Sequence, residues 1–592
     1  MRRALFIMVA VISLAASAVL SAHSSTLDAL VSSGSPPTTT PQNTQNEPSL
    51  AIDANDPQIL AAGANDLVDM QPCSEKAATS AGACSYPLGT FNLGVGLSAV
   101  YFSFDHGHTW TQPTYQGLTA ADCDPTQEPC NPHTGPIHTV PNYYENGLRS
   151  RSDTGVAFGP APGAHGFSWG NGDRLYFSSL ATNLTDTRIQ NTGQNNGQNG
   201  TFAVTVSSID NASPARVADQ RNWSRPFFAA AHAAESSGLD KEQVWADNAA
   251  SSPFFGNVYV CYSDFHSFSH GNAYPLFPMV ATSSDGGVTW RQHSVAPPTN
   301  NSPRGAYDGC TVRTDSHGAV YVFFTHYSNT GLNGSHTLIK STDGGQTWGQ
   351  PQDVVAFTDP CYAVDPVTHR CIEDGIAGAR TDLAAMPSID IANGAPTGGD
   401  ATNEILDAWS DGRLGQNNEK TMISYSTDAG ASWSPATAIS MFGDRSMYSA
   451  PALAPDGSAA YVVLMSLQQP FQTTEANPRL ERGELLMSPL NSSGAPTGWS
   501  AVYVGPTGDA RGTSQGRILY NEFLGDYVYA AATRTYGIGV WTDVRGTSEC
   551  PAMDNWRQAS HDAGQLVFPA PWPLGDCAPT FGNNDIYSAT TG

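Results

Sequence analysis

The octapeptide Ser-x-Asp-x-Gly-x-Thr/Ser-Trp is written four times in this chain, and no other feature restricts the fold as strongly. It reads SFDHGHTW from Ser103 to Trp110, SSDGGVTW from Ser283 to Trp290, STDGGQTW from Ser341 to Trp348 and STDAGASW from Ser426 to Trp433. Its chemistry suits a tight turn. The carboxylate of Asp105, Asp285, Asp343 or Asp428 can accept backbone N–H bonds inside the turn, and glycine supplies a left-handed φ. The hydroxyls close further local bonds, while the Trp packs between neighbouring sheets. A catalytic carboxylate would not need a Trp five residues on, four times over. The octapeptide therefore reads as a structural brace.

Each copy ends a longer unit. A short apolar strand, an Asp/Asn/Gly/Pro turn and a second strand rich in Tyr, Val and Phe precede it. Examples are YDGCTVRTDSHGAVYVFFTHY before Ser341 and NEPSLAIDANDPQILAAGAND before Ser103. Three further units lack a good octapeptide; they start near Ser152, Ser449 and Leu524 and end at Trp223, Trp499 and around Trp556. No helical apolar period is sustained along the chain. The expectation is an all-β protein, a β-propeller of four-stranded blades whose radial closure protects the sheet edges. The repeat count gives seven blades, with six as the alternative if a degenerate unit is an insertion. Within a blade the octapeptide is expected between the third and fourth strands.

The first residues, MRRALFIMVAVISLAASAVLSA, have the layout of a secretory signal peptide over residues 1–22, with cleavage after Ala18 or Ala22. A membrane anchor is the competing reading, but the apolar run of about 17 residues is marginal for a bilayer. The Thr/Pro/Ser/Asn-rich piece over 23–45 reads as a flexible leader, and 46–592 as the propeller with loop insertions. The formal charge is −26, and the lysines are Lys76, Lys241, Lys340 and Lys420. No basic stripe is available to neutralise phosphates, so nucleic acid is a poor partner. Ten cysteines in an exported chain suggest disulfides. Their spacing pairs Cys73 with Cys84, Cys123 with Cys130, Cys361 with Cys371 and Cys550 with Cys577, leaving Cys261 for Cys310. Zinc is the alternative, but no CxxC pair or clustered His/Cys spacing supports it.

On these octapeptides the chain resembles the Asp-box (bacterial neuraminidase repeat) proteins, and among them the secreted sialidase-like propellers. The likeness runs from NEPSLAID at Asn46 to VWTDVR ending at Arg545. It implies an arginine triad for a substrate carboxylate, a Tyr/Glu nucleophile pair and an Asp acid/base. The family also carries an Arg-Ile-Pro-type motif before the first box. Here no arginine lies between Arg3 and Ser103, and SRPF at Ser224 falls after that box.

Topology narrows the search for a site to the face opposite the octapeptides, where loops of two kinds meet. Ends of second strands supply Asp264, Asp411 with Arg413, and Asp543 with Arg545. Starts of first strands supply Arg151 and Asp153, Asp240 and Lys241, Arg304 and Asp308, Arg380 and Asp382, and Asp526 with Tyr527. In a chain that is 14% charged, this concentration is above background. The functional reading is a glycosidase. Asp526, Asp308 and Asp264 are the candidate carboxyl groups, which serve as acid and base or nucleophile when roughly 5 to 10 Å apart. Tyr527 with Glu522 would imitate the Tyr/Glu pair, and the arginines would grip an anionic or hydroxyl-rich substrate. The alternative is an Asp–Arg staple tying each blade to the next. No cofactor or metal is expected; calcium is conceivable for these carboxylates, yet no EF-hand or Gly-rich calcium repeat is present. His133 and His138, in PHTGPIHT, are read as bland. The expected partner is an extracellular glycan or glycoprotein, met outside the cytoplasm with no membrane span in the mature chain. A glycosidase of the exo-α-sialidase type and a non-catalytic glycan- or protein-binding propeller are both carried forward.

Overall fold

The repeated strand pairs become seven antiparallel sheets in the computed structural model. It describes residues 28–32, 41–75, 94–126, 132–183, 201–233, 237–266, 276–297, 307–328 and 332–592, apart from 373, 375, 376, 379, 382, 515–518 and 521. First strands run Gln45–Ile52, Leu148–Gly163, Ser237–Ala246, Tyr307–Thr314, Ser388–Ile391, Arg445–Leu453 and Tyr529–Ala532, and these define blades 1 to 7. Each first strand packs beside the next, and the last returns to the first, so the ring closes as a seven-bladed propeller. Blade 1 has three full strands, and the bridge Phe102↔Thr111 stands for its fourth.

Closure comes from the chain's beginning. Asp28–Leu30 adds to Asp585–Thr590 as the outer strand of blade 7, in the register Asp28↔Ala589 to Leu30↔Tyr587. Gln42 to Gln45 are buried, and the Gln45 N–H donates to the Asn584 carbonyl at 2.8 Å. The flexible-leader reading of 23–45 is thereby corrected at 28–32 and 41–45. Its polar composition does not prevent pairing, because a strand added at an edge is held by its backbone. The signal-peptide reading lies outside the described residues.

Blade 7 also corrects the sequence reading of its later half. Between Gly537–Asp543 and Asp585–Thr590 the chain makes a helix, α1, Pro551–Ala563. Proline opens it and Gly564 at φ 63° closes it. Trp556 and the Cys550–Cys577 disulfide belong to this helical insertion, not to strands. Met553, Trp556 and Ser560 bury one face of α1 at helical spacing, a period too short to stand out in a β-rich text. Cys261–Cys310 ties blade 3 to blade 4, and Cys361–Cys371 closes a loop before blade 5. The pairings of Cys73 with Cys84 and of Cys123 with Cys130 lie outside the described residues. Among the described residues no helix is long and apolar enough to cross a membrane.

The octapeptides do sit between third and fourth strands, in blades 1, 3, 4 and 5. Asp343 accepts from the Thr347 N–H at 2.9 Å and its hydroxyl at 2.6 Å, while the Ser341 hydroxyl reaches Asp343 at 2.8 Å. Asp105, Asp285 and Asp428 repeat this pattern. Two successive left-handed residues form each turn, such as Gly344 (φ 71°) and Gly345 (φ 83°). A Cβ on Gly345 would lie 2.6 Å from the Thr282 hydroxyl in blade 3, so the turn packs tightly on the preceding blade. Trp433 meets Phe323 of blade 4 edge to face at 5.7 Å, and the Trp110 indole donates to Ser588 of blade 7 at 3.0 Å.

Candidate active site at the axial mouth

First strands start on the face away from the octapeptides, and five of them start with a flaw, four of these with a left-handed residue. Register slips occur between Asn46 and Ser49, Ser152 and Thr154, Asp240 and Gln243, and Asp308 and Cys310. The extra residues Glu47, Asp153, Lys241 and Gly309 have φ of 56°, 42°, 57° and 55°. A β-bulge re-aims the residue it carries, and a left-handed non-glycine costs about 1–3 kcal/mol. Three successive blades accept that cost with a charged residue. The result is a convergence at the axis that straight strands would not give.

Lys241 is the hub. Its Nζ bonds Asp526 of the loop entering blade 7 and lies 3.5 Å from Glu47 Oε1 and 3.8 Å from Asp153 Oδ2. All four side chains are buried. Asn65 Nδ2 donates to Glu47 Oε2 at 2.6 Å, and the Asp526 N–H donates to Oε1 at 3.2 Å. Arg380 adds a second cation, 3.2 Å from Asp526. Burial works against the Lys241 ammonium, yet Asp526, Glu47, Asp153 and Asp240 more than offset it and hold its pKa well above the usual value.

Asp153 and Asp240 share a carboxyl–carboxyl hydrogen bond. Burial pushes both up to about 6; Lys241 pulls each down, and each is raised further by a neighbouring carboxylate. Asp240 is only partly covered and faces a cavity of about 440 Å3. Arg151, Arg370 and Arg380 line the same cavity, with Glu47, Asp153 and Lys241 in its wall. Phe202 and Phe523 give it an apolar side, with the Arg380 guanidinium stacked 3.9 Å over Phe523. Beneath, Gln243 bonds the Tyr529 hydroxyl and accepts from Arg313 at 2.7 Å, and Arg313 reaches Asp390 at 3.2 Å. These bonds join blades 7, 3, 4 and 5 across the axis. Chemically, the mouth offers titratable carboxyls, fixed cations and a stacking surface in one cavity.

The predicted residues divide into those the mouth gathers and those it does not. Arg151, Asp153, Asp240, Lys241 and Arg380 line the cavity, and Asp526 bonds two of them. Asp308 lies one blade further on, partly buried and raised to about 6 by desolvation and Asp240, outside the cavity wall. Tyr527 also lies outside that wall; its hydroxyl has no hydrogen-bond partner, and burial and nearby carboxylates drive its pKa well above the usual value. Glu522 turns away to Arg479 and to Arg557 at 2.6 Å, so the Tyr527–Glu522 pair does not form. Arg304 and Asp382 lie outside the described residues.

The second-strand set is stapling. Asp411 takes Arg413 at 2.6 Å and the Trp409 indole at 2.7 Å, and Arg413 reaches the Ala356 carbonyl of blade 4. Asp543 repeats this with Arg545 at 2.7 Å and Trp541 at 2.8 Å, and Arg545 reaches Tyr503 of blade 6 and Asp28. Asp264 takes His232 of blade 2 at 3.1 Å. Asp411 and Asp543 are held by the arginine and indole of their own blades and Asp264 by His232 of the preceding one, and none of the three lines the mouth cavity. The His138 ring bonds Asp69 at 3.0 Å, away from the cavity. Glu47, Asn65, Arg370, Phe202 and Phe523 were missed. For Glu47 a signal exists: Asn46-Glu47 stands at the same place before its strand as Ser152-Asp153 and Asp240-Lys241.

No protein-family model matches the chain, and no curated protein matches it. Solved structures do. A Dyadobacter fermentans protein of unknown function is 12% identical over 68% of this chain and 96% of its own, with a TM-score of 0.35. The Hadza microbial sialidase is 12% identical over 70% of this chain and 68% of its own, with a TM-score of 0.35. The Trypanosoma rangeli sialidase bound to the inhibitor DANA is 10% identical over 79% of this chain and 60% of its own, with a TM-score of 0.37. Likenesses this distant leave the propeller resting on the sheet order itself and the chemistry of the mouth resting on its own residues.

Proposed function

We propose that the axial mouth is the active site of a secreted glycoside hydrolase of the exo-α-sialidase type. The single observation that carries this is the Asp153–Asp240 pair, titrating at about 6, on a cavity that three arginines also line. A carboxyl that keeps its proton near neutral pH suits a general acid. Protonated Asp240 gives its proton to the departing glycosidic oxygen. The carboxylate left on Asp240 accepts from the Lys241 N–H at 3.1 Å and is stabilised by the nearby Lys241 ammonium. Glu47, oriented by Asn65 and the Asp526 N–H, is the second carboxyl group at the anomeric centre. Arg151, Arg370 and Arg380 suit the carboxylate of an acidic sugar, and Phe202 and Phe523 its apolar face. Disulfides of this number belong to an oxidising compartment.

The second reading, a propeller that binds glycan or protein without turning it over, is favoured by one observation: Asp526 already bonds both Lys241 and Arg380. A panel of fluorogenic glycosides separates the two readings. Sialoside turnover above that of neutral and uronic-acid glycosides, with KM raised about 10–100-fold in Arg380→Ala, supports the enzyme. Silence on every glycoside from folded protein assigns the mouth to binding.

A further inference from the structure

Behind the mouth wall a second cluster of charges has no part in the chemistry above. Glu475 lies in the loop joining the second and third strands of blade 6, Glu522 in the loop entering blade 7, and Asp554 on α1. All three are buried, and one carboxylate oxygen from each can be chosen so that all lie within 4.8 Å of one another. Three carboxylates alone would mean little. Glu475, however, is 3% exposed and neither of its oxygens has a hydrogen-bond partner, and Asp554 Oδ1 is unpartnered as well.

The surrounding arginines do not supply what is missing. Arg557 is committed to Glu522 and to the carbonyls of Leu519, Arg511 and Thr513. Arg479 goes to Glu522 and Asp374, and Arg511 to Asp509 and Glu549, touching Asp554 only at 3.4 Å. Arg479, Arg511 and Arg557 are outnumbered by the carboxyls around them, Asp374, Asp509, Glu522, Glu549, Asp554 and Glu475, so the cluster carries an excess of formal negative charge. Arg445 bonds Asp374 at 2.7 Å and brings Glu419 with it at 3.0 Å, so it does not remove the excess.

We propose that Glu475, Glu522 and Asp554 hold one divalent cation of the calcium class. Oxygen ligands at about 2.3–2.6 Å span about 4.6–5.2 Å across such an ion, which matches the spread of this cluster. A divalent charge also offsets that excess. The ion would join blade 6, the entry to blade 7 and α1. It would brace the mouth from behind, because the Glu522 carbonyl accepts the Arg380 N–H at 3.2 Å and Phe523 follows directly.

The test is direct metal analysis of the intact protein, stripped with EDTA and dialysed against calcium, alongside thermal unfolding with and without calcium; it needs no enzymatic activity. The expected result is one calcium retained per chain, a higher unfolding midpoint with calcium, and loss of both in Glu475→Gln. If that variant does not fold, Asp554→Asn is read in the same way, and the wild-type calcium response stands alone. Wild-type protein that retains no calcium and does not shift, or Glu475→Gln that retains it in full, overturns the proposal.

Discussion

The two faces of this propeller use the same residue, aspartate, to opposite ends. On one face Asp343 is held by local bonds to Thr347 and Ser341, and these bonds lower its pKa to about 2. On the other, burial raises Asp240 and Asp153 to about 6. The first group is a carboxylate over the whole working range and serves as an acceptor. The second exchanges a proton near neutrality. The difference is one of access: the octapeptide Asp meets donors of its own turn, whereas the mouth carboxyls meet one another across three blades. Repetition braces this fold, and breaks in repetition, the bulges at Glu47, Asp153 and Lys241, make its cavity.

The contrast can be broken at several points. Asp240→Asn should have the largest effect, lowering kcat on a sialoside about 10²–10⁴-fold, checked by steady-state kinetics. Lys241→Met should come next: it strands Glu47 and Asp153 and leaves Asp526 with Arg380, and loss of one partner from a buried charge set costs about 3–5 kcal/mol, read from denaturant midpoints. Asp343→Ala should cost about 1–3 kcal/mol through its lost turn bonds, with kcat unchanged. Arg413→Ala removes a partly exposed staple and should cost no more than about 1 kcal/mol.

Stability against pH sharpens the same contrast. Asp240 and Asp153 bind protons more tightly folded than unfolded, so their contribution is greatest below about pH 4 and declines as pH rises through about 6. Asp343 binds its proton less tightly folded, so its contribution is full above about pH 4 and is lost as pH falls towards 2. Asp240→Asn should flatten the first slope and Asp343→Ala the second, measured by unfolding midpoints across pH.

Much of this was legible before any coordinates. Four octapeptides and the strand pairs ahead of them give the seven blades and the face on which the turns lie, because both rest on local periodicity. The mouth was legible only in part. Asp153, Asp240, Lys241 and Arg380 stand out as charges before first strands, but Glu47 has the same signature without an arginine beside it. Arg370 and Phe523 reach the cavity through loops whose course no local pattern fixes. Asp411 with Arg413 and Asp543 with Arg545 carry equal charge in the text. Whether a pair closes on itself or faces a cavity depends on the neighbouring blade.

The most direct measurement is hydrolysis of a fluorogenic sialoside by wild-type protein, Asp240→Asn and Asp343→Ala side by side, each with its unfolding midpoint. The account predicts wild-type turnover that Asp240→Asn abolishes without unfolding, and that Asp343→Ala keeps at a lower midpoint. Turnover surviving in Asp240→Asn, or absent from the folded wild type, would contradict it.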